Sequence, residues 1–383
     1  MGKQVKTPRF YVDMPTFLHA TGQLGWDDNL GGAELLYMNC ANPYIREAEN
    51  QSKLFQIGNQ TNNVAKTSFP INFMALLNHN LASDIGPTPR ARTESASKHL
   101  SESQYDRQNV INSEFVAGVG LPIIQPQYNG TSIFTFSDTN GLQDYWTSFD
   151  LTWQDSNYDT NINHQLGSMV VGKYFDCPNS PDLNLTMSRR FDGIKRQKTV
   201  GGKTLANIYY DGPTEWTMNS PRGTYKYPPF ELDFASTYSD DSIMQQLQFE
   251  QTAKSGLGRK GLRSWKLTFS YISEDNMWMA YENSSRAPFE YVETGTNAIT
   301  NTAIPTDDGE EVSFVANPML SDNSFNFVWN CTLGGTLPFI FQPDNTNNNP
   351  DQFSICNFRE NSLSVQQVAF NTYKVSMTID EIA

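Results

Sequence analysis

Short segments rich in aromatic and branched residues recur along the chain, each bounded by clusters of Asn, Asp, Gly or Pro. FYVDM (10–14), AELLYMNC (33–40), FPINFMALLNHNL (69–81), TSIFTFSD (131–138) and YWTSFDLTW (145–153) all have this form. Segments of that length are too short for the helices of a bundle and right for strands, with turn residues where the chain must reverse. The C-terminal stretch SVQQVAFNTYKVSMTIDEI (364–382) is the clearest case, ending with Tyr373, Val375, Met377 and Ile379 on one face at period two. A mainly β chain is therefore expected: an N-terminal jelly-roll-like β-sandwich, then a further β module with one or two short helices.

At 383 residues the chain is long enough for two or three domains, and the division expected is 1–166 and 167–383. After LGSMVVGKYF (166–175) the texture changes to a basic run, RRFDGIKRQKTVGGKTLANIYYDGP (189–213), which reads as a long hairpin with Gly201-Gly202 at a tight turn or a bulge. The polar segment from Pro87 to Gln108 reads as a long loop. Ser239, Asp240 and Asp241 followed by Ile243, Met244 and Leu247 predict an amphipathic helix over 240–252. RSWKLTFSYISEDNMW (263–278) changes midway from strand alternation, with Trp265, Leu267, Phe269 and Tyr271 on one side, to a helix over 274–283. Ser273 serves as its N-cap, and Glu274 and Asp275 lie in its first turn. Residues 284–320, with three prolines and the run DDGEE, read as an insertion. SDNSFNFVWNCTLGG (321–335) then predicts a helix with a Gly C-cap, and LPFIFQPD (337–344) a buried strand stopped by Pro343.

The formal net charge is −14, and Lys and Arg form no dense stripe, which argues against a nucleic-acid surface. Acids are uneven, eight against one basic residue over 101–170 and fifteen against four over 266–383. The cysteines Cys40, Cys177, Cys331 and Cys356 have no C-x-x-C spacing and read as buried free thiols. No segment is long and apolar enough to span a bilayer, so no membrane insertion is expected. The start, MGKQVKTPRFYVDM, has no apolar run of signal-peptide length, and Lys6 stands where a myristoylation motif needs Ser or Thr.

Candidate chemistry is sparse, and no catalytic, metal or cofactor-binding residue is assigned. The histidines His19, His79, His99 and His164 show no metal-ligand spacing. His79, in LLNHNLAS, has two readings: a group that orients a sugar hydroxyl or acts as a base, or a ring that satisfies turn amides, the commoner role. Carboxylate pairs such as Asp150 with Asp155, or Glu231 with Asp233, carry little weight among 41 acids. Trp146 falls on the opposite face from Tyr145, Phe149, Leu151 and Trp153, as a glycan-stacking platform or the edge of a sandwich.

RSWKLTF (263–269), ISEDN (272–276), GGTLPFIFQPD (334–344) and SLSVQQVAFNTYKVSMTIDEI (362–382), in that order and spacing, resemble the tail-tip, or distal tail, proteins of long-tailed bacteriophages. FPINFMALLNHNLASDIG (69–86) is similar to the galactose-binding-like sandwich of some phage tail proteins, and YWTSFDLTW with LGSMVVGKYF to the strands that close that domain. The resemblance implies a tail-tube-like β-barrel or sandwich after the N-terminal sandwich, in a non-enzymatic virion protein made in the bacterial host cytoplasm and released by lysis. It would assemble as a homo-hexameric ring joining the tail tube to the hub or receptor-binding apparatus. One departure stands out: the family's helix runs on into its Gly-Gly turn, whereas here some forty residues separate ISEDNMW from SFNFVWN. The alternative, from a different class, is a host-glycan-binding protein that uses His79 or Trp146.

Overall fold

The structure is a computed structural model. It describes residues 5–22, 32–38, 43–46, 53–58, 69–79, 81, 88–92, 97–99, 105–116, 123–126, 130–138, 145–146, 148–152, 164–190, 194–208, 262–279, 324–349 and 352–382. These residues are mainly β, as the segment pattern predicts. Their largest unit is one antiparallel sheet of eleven strands. In chain order these are β1 (Arg9–Asp13), β2 (Phe73–His79), β3 (Tyr105–Ile111), β4 (Gly130–Asp138), β5 (Ser168–Asp176), β6 (Thr186–Arg190), β7 (Leu262–Ser273), β8 (Phe339–Gln342), β9 (Ser354–Phe358), β10 (Ser364–Ala369) and β11 (Thr372–Glu381). Three short helices accompany them: α1 (Met14–Ala20), α2 (Glu274–Met277) and α3 (Phe325–Cys331). The spatial order is β6-β7-β11-β9-β8-β1-β5-β2-β4-β3, with β10 also paired to β11. Strand β1 is bonded to β5 on one side and to β8 on the other, so the ladder runs unbroken across position 166.

Alternation along the central strands buries both faces. Phe10 and Val12 of β1, Met169, Val171 and Phe175 of β5, and Phe339 and Phe341 of β8 join the larger core. Tyr11, Val170 and Ile340 join the smaller core on the opposite face. Helix α3 covers the larger face, with the Phe325 ring 5.0 Å from both Phe175 and Phe269. Its start is set by Ser324, whose Oγ accepts from Phe327 N–H at 3.1 Å. Its end is the expected Gly-Gly turn: Gly334 N–H donates to Trp329 O at 3.0 Å, and Leu333, Gly334 and Gly335 all have positive φ. Gly335, at φ 84°, also lies so close to Phe358 that a Cβ would come within 2.6 Å of that residue's Cβ. A second close approach fixes the sheet centre, where Gly172 faces Asp13 and a Cβ would sit 2.2 Å from Val12 O.

Several local expectations are corrected. Residues of the predicted loop between Pro87 and Gln108 form strands Thr88–Arg92 and Ser97–His99 and the start of β3. Thr88–Arg92 pairs with Ser148–Thr152 and with Ser97–His99, because ladder bonds come from the backbone and do not require an apolar residue at every second place. Tyr271 does not share the inner face of β7. The ladder slips between Phe269 and Ile272, Tyr271 takes φ 64°, and Ile272 turns inward while Tyr271 is 78% exposed. Helix α2 is one turn long and stops at Trp278, which is extended so that its ring meets Tyr373 edge-on at 5.7 Å. Ser273 makes no cap bond; its Oγ accepts instead from Asn276 Nδ2 at 2.8 Å. The helix expected over 240–252 and the insertion expected over 284–320 lie outside the described residues.

Candidate functional site

The segments that carry the C-terminal sequence pattern come together around one buried ion pair. In β7 and β11, Trp265 faces Ile379 and Ser264 faces Asp380, so the next step along the ladder brings Arg263 to Glu381. Arg263 Nη2 lies 2.9 Å from Glu381 Oε1, and Arg263 Nε 3.1 Å from Oε2. The Arg263 backbone N–H donates to Oε2 at 2.7 Å. The same Nη2 lies 2.7 Å from Phe353 O and beside Ser354 Oγ, both next to or in β9, so its two N–H groups are shared among three acceptors. Both side chains are nearly inaccessible, at 7% and 0%. The guanidinium also lies 5.2 Å from the Trp265 ring, which meets Phe341 of β8 at 5.1 Å. Charge pairing, directed hydrogen bonds and aromatic packing thus lock four strands into one register.

On the exposed side of the same strands, Arg359 grips Asp380 with bonds of 2.8 and 2.7 Å and reaches Ser264 Oγ at 2.9 Å. Partial burial works against ionisation of Asp380, but these bonds outweigh it and hold the carboxyl below its ordinary value. At the other end of β8, Arg9 is bonded to both oxygens of Asp176 at 2.7 and 2.8 Å and lies 4.0 Å over the Tyr174 ring. Tyr11 donates to Gln342 Oε1 at 2.9 Å, and Asn345 Nδ2 to Asp176 Oδ1 at 3.1 Å. The FYVDM and FIFQPD segments are therefore joined by polar contacts as well as by backbone pairing.

His79 takes the amide-satisfying role. It is fully buried, and Leu81 N–H donates to its Nδ1 at 3.2 Å. That leaves the proton on Nε2, which donates to Ser132 Oγ at 2.8 Å, and Ser132 in turn donates to Asn112 O. Burial pushes the ring pKa down to about 3, so it stays neutral and faces protein, away from a solvent-borne sugar. Trp146 lies in a separate two-stranded sheet, Tyr145–Trp146 paired with Phe69–Pro70, so the two candidate glycan residues belong to different sheets. Asp150 sits on strand Ser148–Thr152, and its suggested partner Asp155, like Glu231 and Asp233, falls outside the described residues. Cys177, Cys331 and Cys356 are buried free thiols, with pKa raised by burial. Cys40 falls outside the described residues.

The structure also forms the hairpin expected from the basic run. Ile194–Lys198 pairs with Thr204–Ile208; Gly202 N–H donates to Thr199 O at 2.9 Å, and Gly202 at φ 82° takes the left-handed place. Every residue from 196 to 206 is exposed. Just before it in the chain, β6 forms one end of the large sheet, pairing only with β7 among the described residues.

Arg263 and Glu381 were not singled out from the sequence, although the signal was present. Arg263 has the parity of Trp265, Leu267 and Phe269, and Glu381 that of Val375, Met377 and Ile379. Extending each inward-facing series by one step buries an opposite pair. Comparison with protein-family models, with curated proteins and with solved structures found no match.

Proposed function

We propose that this protein is a structural component of a bacteriophage tail tip, forming a ring that joins the tail tube to the hub or receptor-binding apparatus and acting by assembly rather than catalysis. One observation carries the reading. RSWKLTF, GGTLPFIFQPD and the final TIDEI strand, which bear the resemblance to distal tail proteins, lie in one stretch of the sheet, β7 beside β11 and β8 next beyond β9, with the Arg263–Glu381 pair joining the first two. In this reading the C-terminal strands are the tail-tube-like module and the N-terminal segments the galactose-binding-like sandwich. Strands left at the sheet ends are the parts that neighbouring copies cover, since a closed ring leaves no edge open. The proposed partners are further copies, six by the resemblance, and other tail proteins; the proposed location is the virion tail. The inward turn of His79 leaves the host-glycan reading to rest on Trp146 alone. Native mass measurement of the purified full chain tests the proposal: a defined homo-oligomer supports it, and a monomer at every concentration contradicts it.

A further inference from the structure

We infer that the ribbon formed by Ile194–Lys198 and Thr204–Ile208 is a docking arm that engages the acidic surface of a second copy of this chain. The first argument is charge. Residues 186–208 carry six Lys and Arg against one Asp, whereas the whole chain carries 27 basic residues against 41 acidic. The remainder therefore has 21 basic against 40 acidic residues, so every copy presents a basic ribbon on an otherwise strongly acidic body. The second argument is exposure. Arg196, Lys198 and Lys203 are all exposed, Val200 at the turn is fully open to solvent and Leu205 is 49% exposed. A two-stranded ribbon exposed throughout residues 196–206 is marginal alone and gains stability from a surface that covers it.

Both sides of the ribbon carry cations: Arg196 opposite Ala206 and Lys198 opposite Thr204 are on one side, while Lys195 opposite Asn207 and Gln197 opposite Leu205 are on the other. Arm and acidic body are different surfaces of one molecule, so the contact is head-to-tail; such contacts propagate from copy to copy and close into a ring when the rotation allows. This inference rests on the ring reading and adds the surface that makes the ring.

The test compares the full chain with R196E/K198E/K203E and with the milder R196Q/K198Q/K203Q, by analytical ultracentrifugation across protein and salt concentration. Because these side chains are exposed, circular dichroism and Tm are expected to match the parent. The expected result is a parent oligomer that weakens as NaCl rises from about 0.05 M to about 1 M, where the screening length falls to about 3 Å. The glutamate variant should assemble at least tenfold more weakly and the glutamine variant should fall between. A parent oligomer that all three chains form equally, with the same salt dependence, overturns the docking arm and leaves the ring reading standing. A parent that is monomeric throughout overturns both. If a 30-base-pair DNA duplex binds the parent and not the glutamate variant while self-association is unchanged, the ribbon serves a polyanion and the inference fails.

Discussion

Breaking the Arg263–Glu381 pair from one side should be among the most damaging single changes in the C-terminal strands. In Glu381→Gln the guanidinium keeps Phe353 O and Ser354 Oγ but loses its counter-charge in a site that is 7% exposed. Uncompensated buried charge of this kind costs about 3–5 kcal/mol. At about 1.4 kcal/mol per tenfold, that lowers the folded-to-unfolded ratio roughly a thousandfold. Arg263→Met leaves the carboxylate buried, yet the main-chain N–H of residue 263 still donates to it, so the loss should lie near the lower end of the range. The double variant R263M/E381L removes both charges. It strands Phe353 O and one main-chain N–H, so about 1–3 kcal/mol should remain, well below the sum of the single losses. Equilibrium urea unfolding followed by near-ultraviolet circular dichroism, run as a double-mutant cycle, measures the coupling. Single variants within about 1 kcal/mol of the parent, or strictly additive losses, would refute the claim that this pair holds the strands in register.

Gly172→Ala places a Cβ 2.2 Å from Val12 O and 2.8 Å from Met14 Cγ, so β1 and β5 must separate; a loss of about 3 kcal/mol or more is expected by thermal unfolding. Gly335→Ala meets both a left-handed backbone and the Phe358 Cβ at 2.6 Å, and should lower Tm by several degrees, more than Gly201→Ala in the open turn. Buried Asp13 and His79 predict opposed pH effects. Burial holds Asp13 up at about 7, so its contribution is complete below its ordinary 3.8 and is lost as pH rises toward 7. Burial holds His79 down at about 3, so its contribution is complete above 6.5 and is lost as pH falls toward 3. Between pH 4.5 and 6.5 the two oppose each other, and Asp13→Asn, which keeps an acceptor for the Thr16 N–H, should unmask the histidine as a fall of about 1.4 kcal/mol per pH unit on acidification. Matching pH profiles for D13N and the parent would count against that assignment.

What the sequence made legible was local. The alternation in TYKVSMTIDEI placed Val375, Met377 and Ile379 inward, and the glycine pair after SFNFVWNCTL marked the end of α3, because these signals depend on residues within one turn or one strand. Tyr271 was misplaced because a bulge shifts parity, and the left-handed φ that creates it falls on a tyrosine, which gives no composition cue. The strand Thr88–Arg92 was missed because its partners lie at 97–99 and 148–152, and TPRAR carries little hydrophobic signal of its own. The place of β1 between β5 and β8 joins residues separated by some 330 positions, a pairing that no periodicity reports. As for the site, the oppositely charged ends of β7 and β11 become legible only once the two strands are known to be neighbours.

The most direct test of the proposed role is the place of this protein in a particle. Antibody raised against the purified chain and marked with gold, applied to virions from the lysate of cells that produce it, is predicted to label the distal end of the tail and no other part. Labelled capsids, or particles that carry none of the protein, would contradict the tail-tip account.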